Sequence, residues 1–121
     1  MGHLNVAGYV GAFDNATWHL FAAVGMGPTW LRENARGMAA VEQTLRYTRE
    51  ALAGDLLRVT STVLAISNRT LRFRHVMVNA EDGGELATCE IVAAHLDTAR
   101  RVAVPLPEAV RAAVKERFGV G

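Results

Sequence analysis

The 121-residue chain reads as an α+β domain in which one long helix is followed by a curved antiparallel sheet. Three observations lead there. Apolar residues recur at helical spacing from residue 5 to residue 24. The period then changes to two across four successive segments. A turn signal separates each of those segments from the next. Half of the residues are hydrophobic and 21% are charged, a composition for one globular domain and not for a disordered chain.

Each element has a local reason. Asn5 to Val24 is a helix that Asn5 can cap and Gly25 can end, with Val6, Val10, Phe13, Leu20 and Val24 as its apolar stripe. Its opposite side is filled by glycine and alanine, so the expectation is a helix buried nearly all round. Gly8 and Gly11 suggest close backbone approach. Gly27 to Gly37 is a connector with a short helical piece around Trp30 to Asn34. Met38 to Arg49 is the first strand, with Val41, Leu45 and Tyr47 on one face and Glu42, Thr44 and Arg46 on the other. Leu56 to Ile66 is the second. Arg69 to Asn79 is the third, with Leu71, Phe73, His75 and Met77 set against Arg72, Arg74, Val76 and Val78. Asp82-Gly83-Gly84 is a hairpin signal before the fourth strand, Glu85 to Asp97. Arg101 to Val104 extends the sheet, and Pro107 opens a last helix stopped by Gly119. Apolar residues on both faces of the strands suggest an oligomer.

Composition excludes several function classes. The thirteen basic residues are twelve arginines and Lys115; they are scattered and balanced by twelve acids, which is no footprint for nucleic acid. Cys89 is the single cysteine, so no internal disulfide forms and the default setting is cytoplasmic. The first 24 residues lack a basic leader and carry polar residues, against a signal peptide or a membrane span. The four histidines form no close pair, so no metal site is expected, and no phosphate loop or nucleophile elbow is present.

Gly2-His3-Leu4-Asn5, then Tyr9, then Phe13-Asp14, resembles the signature of hotdog-fold acyl-CoA thioesterases, in particular the 4-hydroxybenzoyl-CoA thioesterase-like branch. The likeness continues through Glu42, Tyr47, Glu50 and Gly54-Asp55, then Arg69, His75, Gly83-Gly84 and Pro105 to Pro107. It thus covers nearly the whole chain as a single domain, 1–121. The resemblance implies a central helix wrapped by the sheet, a homodimer or homotetramer with sites between protomers, and an acyl-CoA substrate with no cofactor beyond its own CoA. It places the thioester at the start of the helix, where backbone amides polarise the carbonyl, and makes His3, Asn5 and Tyr9 the catalytic candidates. Gly2, Phe13, Glu42, Arg69, Arg72 and His75 are the substrate-binding candidates; the arginines are suited to CoA phosphates.

Each candidate also has a plainer role. Asn5 can simply cap the helix, Tyr9 and His75 can be satisfied core residues, and the arginines can be exposed sheet charges. Asp14 is poorly phased with Tyr9 for a base and is expected to pair with Arg46 or Arg72. Cys89 and His95, on one strand face with Ile91, are expected to be buried structural residues. The family carries an aspartate, its usual base or nucleophile, shortly before the Gly-His pair, and a first strand before that. Here the pair follows Met1, so the expectation is either a natural start further upstream or an inactive member. The alternative function is therefore a non-catalytic hotdog protein that binds an acyl-CoA or small ligand. A hotdog hydratase or dehydratase is disfavoured because Asp14 and His3 are poorly phased, and a different cone-shaped α+β fold is compatible with the periodicity alone.

Overall fold

A computed structural model describes residues 6–52 and 54–121. Helix α1 (Val6–Ala23) leads through α2 (Pro28–Glu33) into strands β1 (Arg36–Tyr47), β2 (Leu57–Ile66), β3 (Thr70–Asn79), β4 (Glu85–Asp97) and β5 (Val102–Ala103), and α3 (Glu108–Phe118) closes the chain. The sheet is antiparallel in the order β1-β4-β3-β2, with β5 also on β4. Among the described residues, β1 and β2 are its edges. The Gly-His-Asn start lies outside the described residues.

The elements follow the period changes closely, because turn chemistry punctuates the strands. Gly25 and Gly83 sit at φ +92° and +73°, where a side chain is strained, and they end α1 and turn the β3–β4 hairpin. Gly119 ends α3 in the left-handed region, its N–H donating to the Lys115 carbonyl at 2.9 Å. The short helix lies at Pro28–Glu33, two residues ahead of the expected piece, since Pro28 supplies a pre-set first turn.

The core is one contact surface. Tyr9, Phe13, Leu20, Phe21 and Val24 form the buried stripe of α1. The stripe rests on the inward residues of the sheet, with Phe21 edge-on to Phe73 (centroids 5.6 Å apart) and Phe13 stacked on His75 (5.9 Å). β4 supplies Ala87, Cys89 and Ala93 at its inward positions, and their small volumes leave room for those rings. Val110 and Val114 of α3 and Leu106 seal one end. Arg111 of α3 donates to the Ser67 carbonyl at 2.6 Å, which ties the helix to the β2–β3 turn.

Three expectations are corrected. First, α1 is not buried all round: Val10, Trp18, Ala22 and Ala23 are exposed along its outer side. Second, among the described residues nothing stands within 4 Å of where a Cβ on Gly11 would lie, so no close packing explains that glycine. Third, Val41 does not share a face with Leu45 and Tyr47. The β1–β4 register shifts between Ala40 and Glu42, so Val41 is the extra residue of a β-bulge and is 59% exposed. Met38 and Ala40 before the bulge, and Gln43, Leu45 and Tyr47 after it, then face α1.

Phe73 is fully buried against Phe21 and His75. Phe73→Ala is expected to cost about 3–5 kcal/mol through lost burial and a residual cavity. Urea unfolding of the two proteins measures it.

Candidate functional site

Two cavities flank α1. The first, about 210 Å³, opens between α1 and the β1 side of the sheet. Phe13, Trp18, Phe21, Phe73 and Ile91 give it an apolar interior; Asp14, Thr17 and Gln43 are its polar lining. The bulge at Val41 brings both Met38 and Ala40 and then Gln43 to this wall. The second, about 490 Å³ and wider open, lies between the other flank of α1, β2 and the end of α3.

Between the two cavities runs a line of polar groups through the core. His75 is fully buried. Its Nε2 lies 2.8 Å from Thr17 Oγ1, and its Nδ1 2.7 Å from Ser61 Oγ. Thr17 lines the first cavity and Ser61 the second. Thr17 also donates to the Phe13 carbonyl one turn earlier, at 2.9 Å. Burial among Phe13, Phe73 and these neutral hydroxyls disfavours the imidazolium and lowers the His75 pKa from 6.5 to about 4. Neither Thr17 nor Ser61 was singled out in the sequence, although Ser61 is the register partner of His75 across β2 and β3.

The other candidates are dispersed. Tyr9 is buried; its hydroxyl accepts the Ala51 N–H at 3.0 Å, and its ring meets Tyr47 edge-on at 5.0 Å. Phe13 and His75 come together. Glu42 and Arg72 lie on the opposite, outer face of the sheet, in a groove of about 560 Å³ that also holds Arg74 and Glu90. Arg72 and Arg74 both reach Glu90, at 3.5 and 3.4 Å. Arg72 is thus the partner of Glu90 and not of Asp14, which is exposed at the first cavity. Arg69 is exposed at the β2–β3 turn and makes no ion pair among the described residues. His3, Asn5 and Gly2 lie outside the described residues.

Cys89 and His95 are buried, as expected. Burial raises the Cys89 thiol pKa, and Gln43 Nε2 approaches its sulfur at 3.7 Å. His95 Nδ1 faces the Val104 and Pro105 carbonyls at 3.3 and 3.1 Å and holds the segment before α3, while Nε2 finds no partner among the described residues. Among the described residues, no group of three His, Cys, Asp or Glu side chains is placed to hold a metal ion, and no helix is long and apolar enough to cross a membrane.

Comparison with known proteins follows the same lines. The model of the thioesterase-like superfamily matches residues 1–114. An L-carnitine dehydrogenase/betainyl-CoA thioesterase of Agrobacterium fabrum is 30% identical over 113 residues, 93% of this chain and 23% of that protein. The chain therefore spans about a quarter of the length of the curated relatives it matches. A Staphylococcus aureus protein solved in complex with CoA superposes with TM-score 0.93 at 18% identity, over 98% of this chain and 75% of that one. A Thermus thermophilus thioesterase complexed with CoA and Zn superposes with TM-score 0.81 at 25% identity, over 98% of this chain and 83% of that one.

The His75 shift carries a pH signature. The native state binds fewer protons than the unfolded chain between about pH 4 and 6.5, so stability is full above that window and falls as pH drops through it. The full shift corresponds to about 3 kcal/mol. Urea unfolding at pH 7.5 and 4.5 is expected to show the loss, and His75→Gln is expected to flatten it.

Proposed function

The chain belongs to the thioesterase-like superfamily, and on that footing we propose that it hydrolyses an acyl-CoA thioester to a free acid and CoA. The observation that carries this reading is the apolar cavity beside α1, whose size suits a small acyl group. Water adds to the thioester carbonyl carbon, the C–S bond breaks, and CoA leaves as its thiol. The N-terminal end of α1 carries the positive end of the helix dipole and favours the developing oxyanion. In this reading His3, Asn5 and Tyr9 act on the thioester and Gly2 contributes to binding it. Phe13 and His75 back the acyl chain. Of the two arginine candidates, Arg69 is exposed and in no ion pair among the described residues, and Arg72 already engages Glu90, so Arg69 is the one free to take a CoA phosphate. Glu42, the remaining substrate-binding candidate, lies on the outer face, on the side of the sheet away from the apolar cavity. The carboxylate that activates water in this family precedes the Gly-His pair, and Asp14 is the acid nearest the cavity in this chain.

Support for assembly into a homodimer or homotetramer comes from the unpaired β1 edge and from exposed Val10, Trp18 and Val41 close to it. A cytoplasmic setting fits the lone thiol of Cys89.

A second reading refines the acyl group. Trp18, Phe13 and Phe21 present ring surface to the cavity and Asp14 presents a carboxylate, a combination that attracts a quaternary ammonium. The Agrobacterium fabrum relative is named for betainyl-CoA.

A thiol-release assay over an acyl-CoA panel tests the function. Turnover of at least one acyl-CoA is expected; saturable binding with no CoA release from any of them would favour the non-catalytic alternative. For the acyl group, betainyl-CoA is expected to be preferred to its neutral isostere 3,3-dimethylbutyryl-CoA. Trp18→Ala and Asp14→Asn are each expected to narrow that preference by about three- to tenfold, through KM.

A further inference from the structure

Ser61 joins two features that the thioester reading leaves apart: the buried polar network and the cavity between α1, β2 and α3. That cavity, about 490 Å³, is walled by Ser61 together with Ala12, Asn15, Ala16, His19 and Arg117. It lies on the flank of α1 opposite the apolar cavity, with which it shares no lining residue.

The hydrogen bonds decide the tautomer of His75. A threonine hydroxyl has one proton, and Thr17 donates it to the Phe13 carbonyl at 2.9 Å. Thr17 Oγ1 therefore accepts from the imidazole across 2.8 Å, and the ring proton sits on Nε2. Nδ1 is left as a lone pair, and Ser61 donates its hydroxyl proton into it across 2.7 Å. A serine bonded to an imidazole whose far nitrogen is oriented by a third group is the arrangement that activates a nucleophile. The Asn15 amide and the Arg117 guanidinium line the same cavity and offer N–H donors to a carbonyl oxygen as it gains charge.

We infer that Ser61 is an acyl-accepting nucleophile, with His75 as its base and Thr17 as the positioning residue, in a site for small carboxylic esters or thioesters separate from the apolar cavity. Ser61 Oγ attacks the carbonyl carbon as its proton moves to His75 Nδ1. The Oγ–C bond forms, the bond from carbon to the leaving sulfur or oxygen breaks, and Nδ1 returns the proton to that atom. The products are an acyl-serine and a free thiol or alcohol; water repeats the sequence and releases the acid. The other ring proton stays on Nε2, donated to Thr17 Oγ1 throughout.

The surroundings of the ring set the pH behaviour. Phe13 and Thr17 face it from α1, Ser61 from β2, Phe73 from β3 and Cys89, its register partner, from β4. The charged groups near by are those of the two cavities: Asp14 and His19 on α1 and Arg117 on α3. No carboxylate bonds to the ring, and burial holds its pKa near 4. The base form of His75 thus persists well below the pH at which an exposed histidine is protonated.

A fluorophosphonate probe on the intact chain, followed by peptide mapping, tests the inference without using a CoA thioester, so it stands or falls apart from the thioesterase reading. Ser67 is the chain's only other serine and is exposed in the β2–β3 turn, which makes it an internal reference. The expected result is one phosphonyl group on Ser61, added roughly a hundredfold faster than on Ser67. The rate is expected to be equal at pH 7.5 and about pH 5.5, because His75 is neutral at both. Ser61→Ala is expected to remove the adduct. Equal labelling of the two serines, or none on Ser61, would reduce Ser61 to a hydrogen-bond partner in the core. A rate that falls between pH 7.5 and about pH 5.5 would assign the base role to a group other than His75 and overturn the role of His75. Mapping on the unmodified chain decides the question even where Ser61→Ala fails to fold.

Discussion

Everything in this fold depends on the seating of one aromatic stripe. Phe13 and Phe21 of α1 lie on Phe73 and His75 of β3, and the remaining strands are arranged around that contact. Two large rings can approach the sheet only where the neighbouring strand is small. β4 is small at three of its inward positions, Ala87, Cys89 and Ala93, while Ile91, between Cys89 and Ala93, pairs with Phe73 and packs in the core. The sheet bends toward the helix, and its flanks remain open as the two cavities. The site is thus a by-product of how the core is filled: the helix seals the middle of the sheet and leaves a gap on either side.

The same contact explains why a histidine stands in the core. An imidazole stacked on Phe13 has two polar edges that the rings cannot satisfy, and each edge is met by a hydroxyl from a different element. Thr17 comes from the helix and Ser61 from β2, so His75 joins three elements by directional bonds. Orientation of α1 over the sheet is thereby specified more tightly than burial alone would require. It also brings a polar line to the wall of both cavities, which an all-apolar core would not do.

The two sheet faces divide the chemistry. Charges collect outside, where Arg72 and Arg74 share Glu90 in solvent, an exposed arrangement worth little to stability. The helix face holds the apolar cavity and its single carboxylate, Asp14. In the proposed reading, the thioester sits on the helix face, at the apolar cavity.

Period and punctuation in the amino-acid order were enough to determine the element sequence. Glu85–Asp97 was legible to the residue, and β3 displayed its inward set Leu71, Phe73, His75 and Met77 without ambiguity, because strict alternation and a glycine turn are local properties. The Gly-His-Asn-Tyr pattern likewise carried the family. Where a strand departs from strict alternation, local reading fails: the bulge at Val41 exchanges the faces of β1 and is visible only in its pairing with β4. Burial of α1 was also overestimated, since composition counts apolar residues but does not say which side meets the sheet. The candidate site shows the same limit. Phe13 and His75 could be named separately, but Thr17 and Ser61 have no signal of their own. They matter only because register and helix phase set them 2.8 and 2.7 Å from the two nitrogens of one ring, and such distances are decided by tertiary packing between residues 58 and 14 positions apart in the chain.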